Sequence, residues 1–155
     1  MIKERICSYE LSMLLKEKGF RERCRYCYGT AVRHNGEDID EDEEFELKSE
    51  GRADEIEYIK GGTLHNLYYD NDKSFGKDVC ATPTHQMACD WLYVKYGIFI
   101  TTDVYLDELD GSKYITWKIY VCTDDVKCIQ GRNDKITDIH SAFELALKYS
   151  LENLV

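Results

Sequence analysis

Residues 98–122 read IFITTDVYLDELDGSKYITWKIYVC, and their alternation decides the fold class. Side chains along a strand point to alternate faces, so Ile98, Ile100, Thr102, Val104 and Leu106 share one side of an extended segment. Ile115, Trp117, Ile119 and Val121 share one side of a second. Asp107 to Ser112, with Asp110 and Gly111 adjacent, carries turn chemistry between them. The stretch predicts an antiparallel hairpin with one covered face.

Helical periodicity flanks this hairpin on both sides. Upstream, Thr82 reads as an N-cap and Pro83, the only proline, as the first residue of a helix running to Tyr96 and ended by Gly97. Met87, Ala88, Trp91 and Val94 form its apolar face, with the stem of Lys95 along the edge. Downstream, Ser141 and Glu144 have capping-box spacing, although Asp138 offers a start one turn earlier. Ile139, Phe143, Ala146, Leu147 and Leu151 then give a buried stripe reaching Leu154. Near the start, Ser8 caps a helix over residues 9–18, with Leu11, Leu14 and Leu15 on one face and Gly19 as its stop.

Residues 126–130 predict a short strand after a turn at 123–125. The first half is less regular: residues 24–32 and 56–60 read as extended, Gly61 and Gly62 as a turn, and 64–69 as a strand pairing back. The expected fold is α+β, with an antiparallel or mixed sheet of about four to six strands and about three helices packed mainly on one face. The 155 residues predict a single domain, with residues 36–54 as a solvated acidic loop or insertion.

Charge is the most uneven property of the chain. Between residues 37 and 57 stand twelve Asp and Glu against Lys48 and Arg52, so this segment carries the equivalent of the whole net charge of −10. Residues 1–36 are mildly basic. A nucleic-acid-binding surface needs a broad positive field, and this distribution argues against one. Arg21, Arg23 and Arg25 do interleave with Tyr26 and Tyr28, a mixture able to hold a single strand by phosphate contact and stacking, but a strand with one wet face explains it equally. No apolar run approaches a membrane span and the first residues lack a signal-peptide core, so a cytoplasmic location is expected.

Seven cysteines in such a compartment are expected to be reduced thiols, and their odd number and irregular spacing argue against a disulfide framework. Cys24 and Cys27 have CxxC spacing without a second pair to complete a tetrahedral zinc site. His85 and Cys89, four apart on a predicted helix, project together, and the four side chains define a candidate metal set that depends on a long-range contact. Asp38, Asp40 and Asp42 alternate like part of a calcium loop, but Glu43 stands where glycine is needed and Ser49 where a bidentate glutamate belongs. No local signature marks a catalytic dyad among the four histidines and seven cysteines, and neither catalytic residues nor a cofactor is expected.

Residues 80–92, CATPTHQMACDWL, with 95–98, KYGI, and the closing 141–154, SAFELALKYSLENL, are similar to a group of small uncharacterised proteins from bacteriophages, prophages and mobile elements of gut Bacteroidetes. The similarity lies in an A-P-T start, an A-x-x-W-L helix, a G-I entry to a strand, a hairpin and a closing helix. It covers residues 80–155 and, loosely, the first helix. Thr82 departs from it by separating Ala81 from Pro83, as does the acidic stretch. The resemblance implies an accessory role in a mobile-element context and assigns no catalytic residue.

The leading expectation is therefore a non-enzymatic accessory protein that binds another protein through the acidic segment, with Asp40, Glu41, Asp42, Glu43 and Glu44 as candidate contacts. An exposed sheet edge also allows a homo-oligomer. The alternative is a metal-dependent enzyme or nucleic-acid-processing factor, which requires bound metal or a pocket gathering His85, Cys89 and carboxylates.

Overall fold

The computed structural model describes residues 5–65, 68–71, 79–131 and 135–155. In chain order the elements are α1 (Tyr9–Glu17), β1 (Tyr26–His34), β2 (Glu37–Ile39), α2 (Glu41–Ser49), a 3₁₀ turn (Ala53–Glu55), β3 (Ile56–His65), β4 (Cys80–Thr82), α3 (His85–Tyr96), β5 (Ile98–Leu106), β6 (Lys113–Cys122), β7 (Val126–Gln130) and α4 (Ile139–Asn153). They group into two compact units, one made from residues up to Phe20 together with Pro83–Val155, the other from Arg21–Thr82. The α+β class holds. The single sheet expected for it does not, because the strands divide into an antiparallel sheet of four and another of three.

In the first unit β5 and β6 pair as the hairpin predicts, with Ile100 opposite Ile119 and Leu106 opposite Lys113, and β7 adds to the free edge of β6. Ile98, Ile100, Trp117 and Ile119 are buried, and α3 and α4 pack against the two hairpin strands. Gly97 ends α3 at φ 67°, where an added Cβ would stand 2.8 Å from the Cys122 carbonyl oxygen. Gly97 N–H donates to Tyr93 O at 2.9 Å, and Gly97 O accepts Cys122 N–H at 2.7 Å. A residue with a left-handed φ and no room for a side chain has to be glycine.

The start of α3 differs from expectation, and α4 takes the earlier of its two candidate starts. The cap of α3 is Thr84, whose hydroxyl accepts from Met87 N–H, and not Thr82, which pairs with Tyr26 in β4. The cap of α4 is Asp138, accepting from Ser141 N–H at 2.9 Å. Glu144 is thereby free of the capping box and bonds elsewhere, as described below. The first helix keeps its predicted cap, with Ser8 Oγ accepting from Leu11 N–H at 3.3 Å.

In the second unit β1 is central, with β3 on one side and both β2 and β4 paired along β1. Gly61 and Gly62 do not turn the chain. They lie within β3, at the register shift where Gly29 faces Thr63 but Ala31 faces Ile59, so the extra residues are absorbed as a bulge. Of the strand expected at 64–69, residues 66–67 lie outside the described residues; Tyr69 bonds to Cys24 through both backbone groups.

The acidic segment is likewise ordered rather than a loop. Asp40 caps α2 by accepting from Glu43 N–H at 2.9 Å, and acidic side chains in the first turn complement the positive end of the helix dipole. Lys48 pairs with Glu44 one turn back. Leu47, the one aliphatic residue of α2, buries against Ile56 with Ile39 beside it. A cap, an ion pair and one apolar anchor outweigh the like-charge repulsion that favoured a loop.

Candidate functional site

The chain segments that precede α1 and α3 lie side by side. Ile6 bridges Thr84, Cys7 N–H donates to Pro83 O at 2.9 Å, and His85 N–H donates to Arg5 O at 3.0 Å. This antiparallel contact carries Cys7 and His85 to neighbouring positions at the two helix starts. Glu144, in the second turn of α4, completes a group in which a thiol sulfur, a ring nitrogen and a carboxylate oxygen all lie within 4.8 Å of one another. Cys7 is 0% exposed and His85 5%.

The carboxylate of Glu144 accepts Ser8 N–H on Oε1 at 2.9 Å and Ser8 O–H on Oε2 at 2.7 Å. His85 Nε2 lies 2.8 Å from the same Oε1. Burial pushes the Glu144 carboxyl up, but the bonds from His85 and Ser8 outweigh it and hold the group below the usual glutamate range. An ionised carboxylate only accepts, so His85 Nε2 carries the proton in this arrangement. His85 Nδ1 is then the second nitrogen of a buried ring, and it has no hydrogen-bond partner among the described residues. The ring of His140 stacks on it with centroids 4.4 Å apart, and His140 Nδ1 is also buried without a partner there.

The metal candidates read from the sequence are distributed between the two units. His85 and Cys89 stand on α3 in the first, and Cys24 and Cys27 in the second, Cys24 bonded to Tyr69 and Cys27 in register with His65 and Ala81. Burial, then Glu22 and Cys80, push the Cys24 thiol up to about 12. Burial, then Asp90, push Cys89 up to about 12. Both thiols are protonated at neutral pH. Among the described residues, the group of three donors is Cys7, His85 and Glu144. Sequence reasoning found only His85 of these; Glu144 was hidden by its capping-box spacing, and its bonds to His85 and Ser8 span 59 and 136 residues.

The acidic candidates take up separate roles in the second unit. Asp40 is a cap and Glu44 an ion-pair partner, whereas Glu41 opens α2 and Asp42 and Glu43 are exposed. Asp38 of the calcium-like alternation pairs with Arg33 at 2.9 Å. Phe45, in the middle of this helix, is 72% exposed. The arginines of the basic start also find partners within the chain: Arg23 lies over the ring of Tyr68 at 5.1 Å and Arg25 over that of Tyr26 at 5.4 Å.

No helix among the described residues is long and apolar enough to cross a membrane. No known protein family, curated protein or solved structure matches the chain.

Proposed function

We propose that this chain is a non-enzymatic accessory protein that docks α2 into an apolar groove rimmed by Lys and Arg on a basic protein partner. The observation that carries the reading is Phe45, 72% exposed in a helix whose other outward residues include Asp42, Glu43 and Glu46. Leaving a phenylalanine in water forgoes roughly 1.5–3 kcal/mol of burial free energy. An aromatic ring set in a charged surface is the form of an interface anchor, the ring supplying affinity and the surrounding charge supplying approach rate and choice of partner. A preformed helix entering a groove through an apolar anchor is an established recognition mode. The complementary partner is positively charged, since the 37–57 segment concentrates twelve carboxylates against two cations. The resemblance of residues 80–155 to mobile-element proteins supports an accessory role.

Affinity capture with the purified chain tests this. The wild type retains a basic protein at low salt and releases it as ionic strength rises past a few tenths molar, where surface fields are screened. Phe45→Ala weakens retention roughly 10- to 100-fold, as loss of an anchor does. Glu43→Gln with Glu46→Gln slows association and flattens the salt dependence. Equal capture by wild type and Phe45→Ala refutes the proposal.

A further inference from the structure

We infer that Cys7, His85 and Glu144 form a zinc site, each supplying one donor atom, that ties the starts of α1 and α3 to α4. Two kinds of observation, geometry and charge, converge on it. The donors already lie within 4.8 Å of one another, and tetrahedral zinc, with Zn–S of about 2.3 Å and Zn–N of about 2.0 Å, requires sulfur–nitrogen separations of about 3.5 Å. Ligation opens His85 Nε2 and Glu144 Oε1 from their 2.8 Å hydrogen bond to about 3.3 Å, inside the 4.8 Å that the group already spans.

Charge also balances. A thiolate, a carboxylate and a neutral imidazole neutralise a divalent cation, which suits a site where Cys7 is fully buried and His85 nearly so. A sulfur and a nitrogen donor select zinc over calcium or magnesium, which prefer oxygen alone. Binding releases the Cys7 thiol proton to solvent, and a water molecule fills the fourth position. Glu144, with its side chain 20% exposed, gives the ion a way in.

The ligating nitrogen is Nε2, which already faces Glu144 Oε1 at 2.8 Å; on ligation its proton passes to Nδ1, the buried nitrogen without a partner among the described residues. The stacked His140 and Phe143, centroid 6.0 Å from His85, wall the site with rings.

The test uses the full chain. After incubation with zinc and removal of the excess by gel filtration, elemental analysis is expected to give about one zinc per chain. Cobalt added to the apo protein is expected to give a thiolate-to-cobalt absorption band and tetrahedral d–d bands. Cys7→Ser abolishes the thiolate band, and His85→Gln or Glu144→Gln lowers affinity at least tenfold, while Cys24→Ser with Cys27→Ser leaves binding unchanged. If Cys7→Ser does not fold, alkylation of the wild type decides: zinc protects Cys7, mapped by mass, from iodoacetamide under partial denaturation and leaves Cys24 and Cys27 unprotected. Less than a tenth of an equivalent after zinc incubation overturns the site. So does unchanged zinc affinity in His85→Gln, or zinc lost only when Cys24 and Cys27 are replaced.

Discussion

His85 and Glu144, 59 residues apart in sequence, meet at 2.8 Å where three helix starts and turns converge, and the same carboxylate holds both donors of Ser8. One side chain of α4 thus fixes the cap of α1 and the first residue of α3. Replacing it by alanine takes the acceptor from His85 Nε2, on a ring 5% exposed, and returns the exposed Ser8 donors to water. Glu144→Ala is expected to destabilise the chain by about 2–4 kcal/mol, read from denaturant midpoints.

The same carboxylate predicts a pH dependence with a definite sign. Its folded-state value lies below the ordinary 4.5, so its contribution is full above that value and is lost as pH falls through the lower, folded-state value. The stability gap between wild type and Glu144→Gln should be constant from pH 7 down to about 5 and shrink below the ordinary value. A gap that widens on acidification would contradict the assigned bonding.

Gly97→Ala is expected to cost about 1–3 kcal/mol, because the new methyl meets the Cys122 carbonyl at 2.8 Å in a left-handed residue. A control at Gly111, also left-handed at φ 72° but with open space around it, isolates the steric part: Gly111→Ala should be milder. Thermal midpoints of the two variants decide it.

Asp40→Ala removes the cap of α2 and is expected to cost about 1 kcal/mol, felt first in that helix. Leu47→Ala removes its anchor against Ile56 and should cost about 2 kcal/mol or more. Amide exchange in residues 43–50 should accelerate in both variants while the β5–β6 amides keep their protection. Phe45→Ser, by contrast, should leave stability within about 0.5 kcal/mol, since the ring is mostly in water.

The parts legible in the sequence are those governed by short-range periodicity. The hairpin from Ile98 to Cys122, the β7 strand, the Ser8 cap and the Gly97 stop all follow from residues within a few positions of one another. The errors arise where a distant partner intervenes. Thr82 is an adequate cap in isolation, but β1 claims it as a strand residue, and the helix starts at the next hydroxyl available, Thr84. Gly61 and Gly62 resemble a turn until β1 supplies a partner along both sides of the glycine pair. Of the cluster, His85 stood out by residue type, whereas Cys7 and Glu144 became visible only once two helix starts were seen to pair through Ile6 and Thr84.

The first unit is assembled from both sides of the second, since the chain leaves it after Phe20 and rejoins it at Pro83. On a ribosome, α1 therefore emerges long before α3, α4 and the β5–β7 sheet exist to cover Leu11 and Leu15. The contiguous 21–82 segment has all its strand partners at hand by then and is placed to fold first. Until residues 83–155 have been made, the α1 stripe of Leu11 and Leu15 stays uncovered within its own unit.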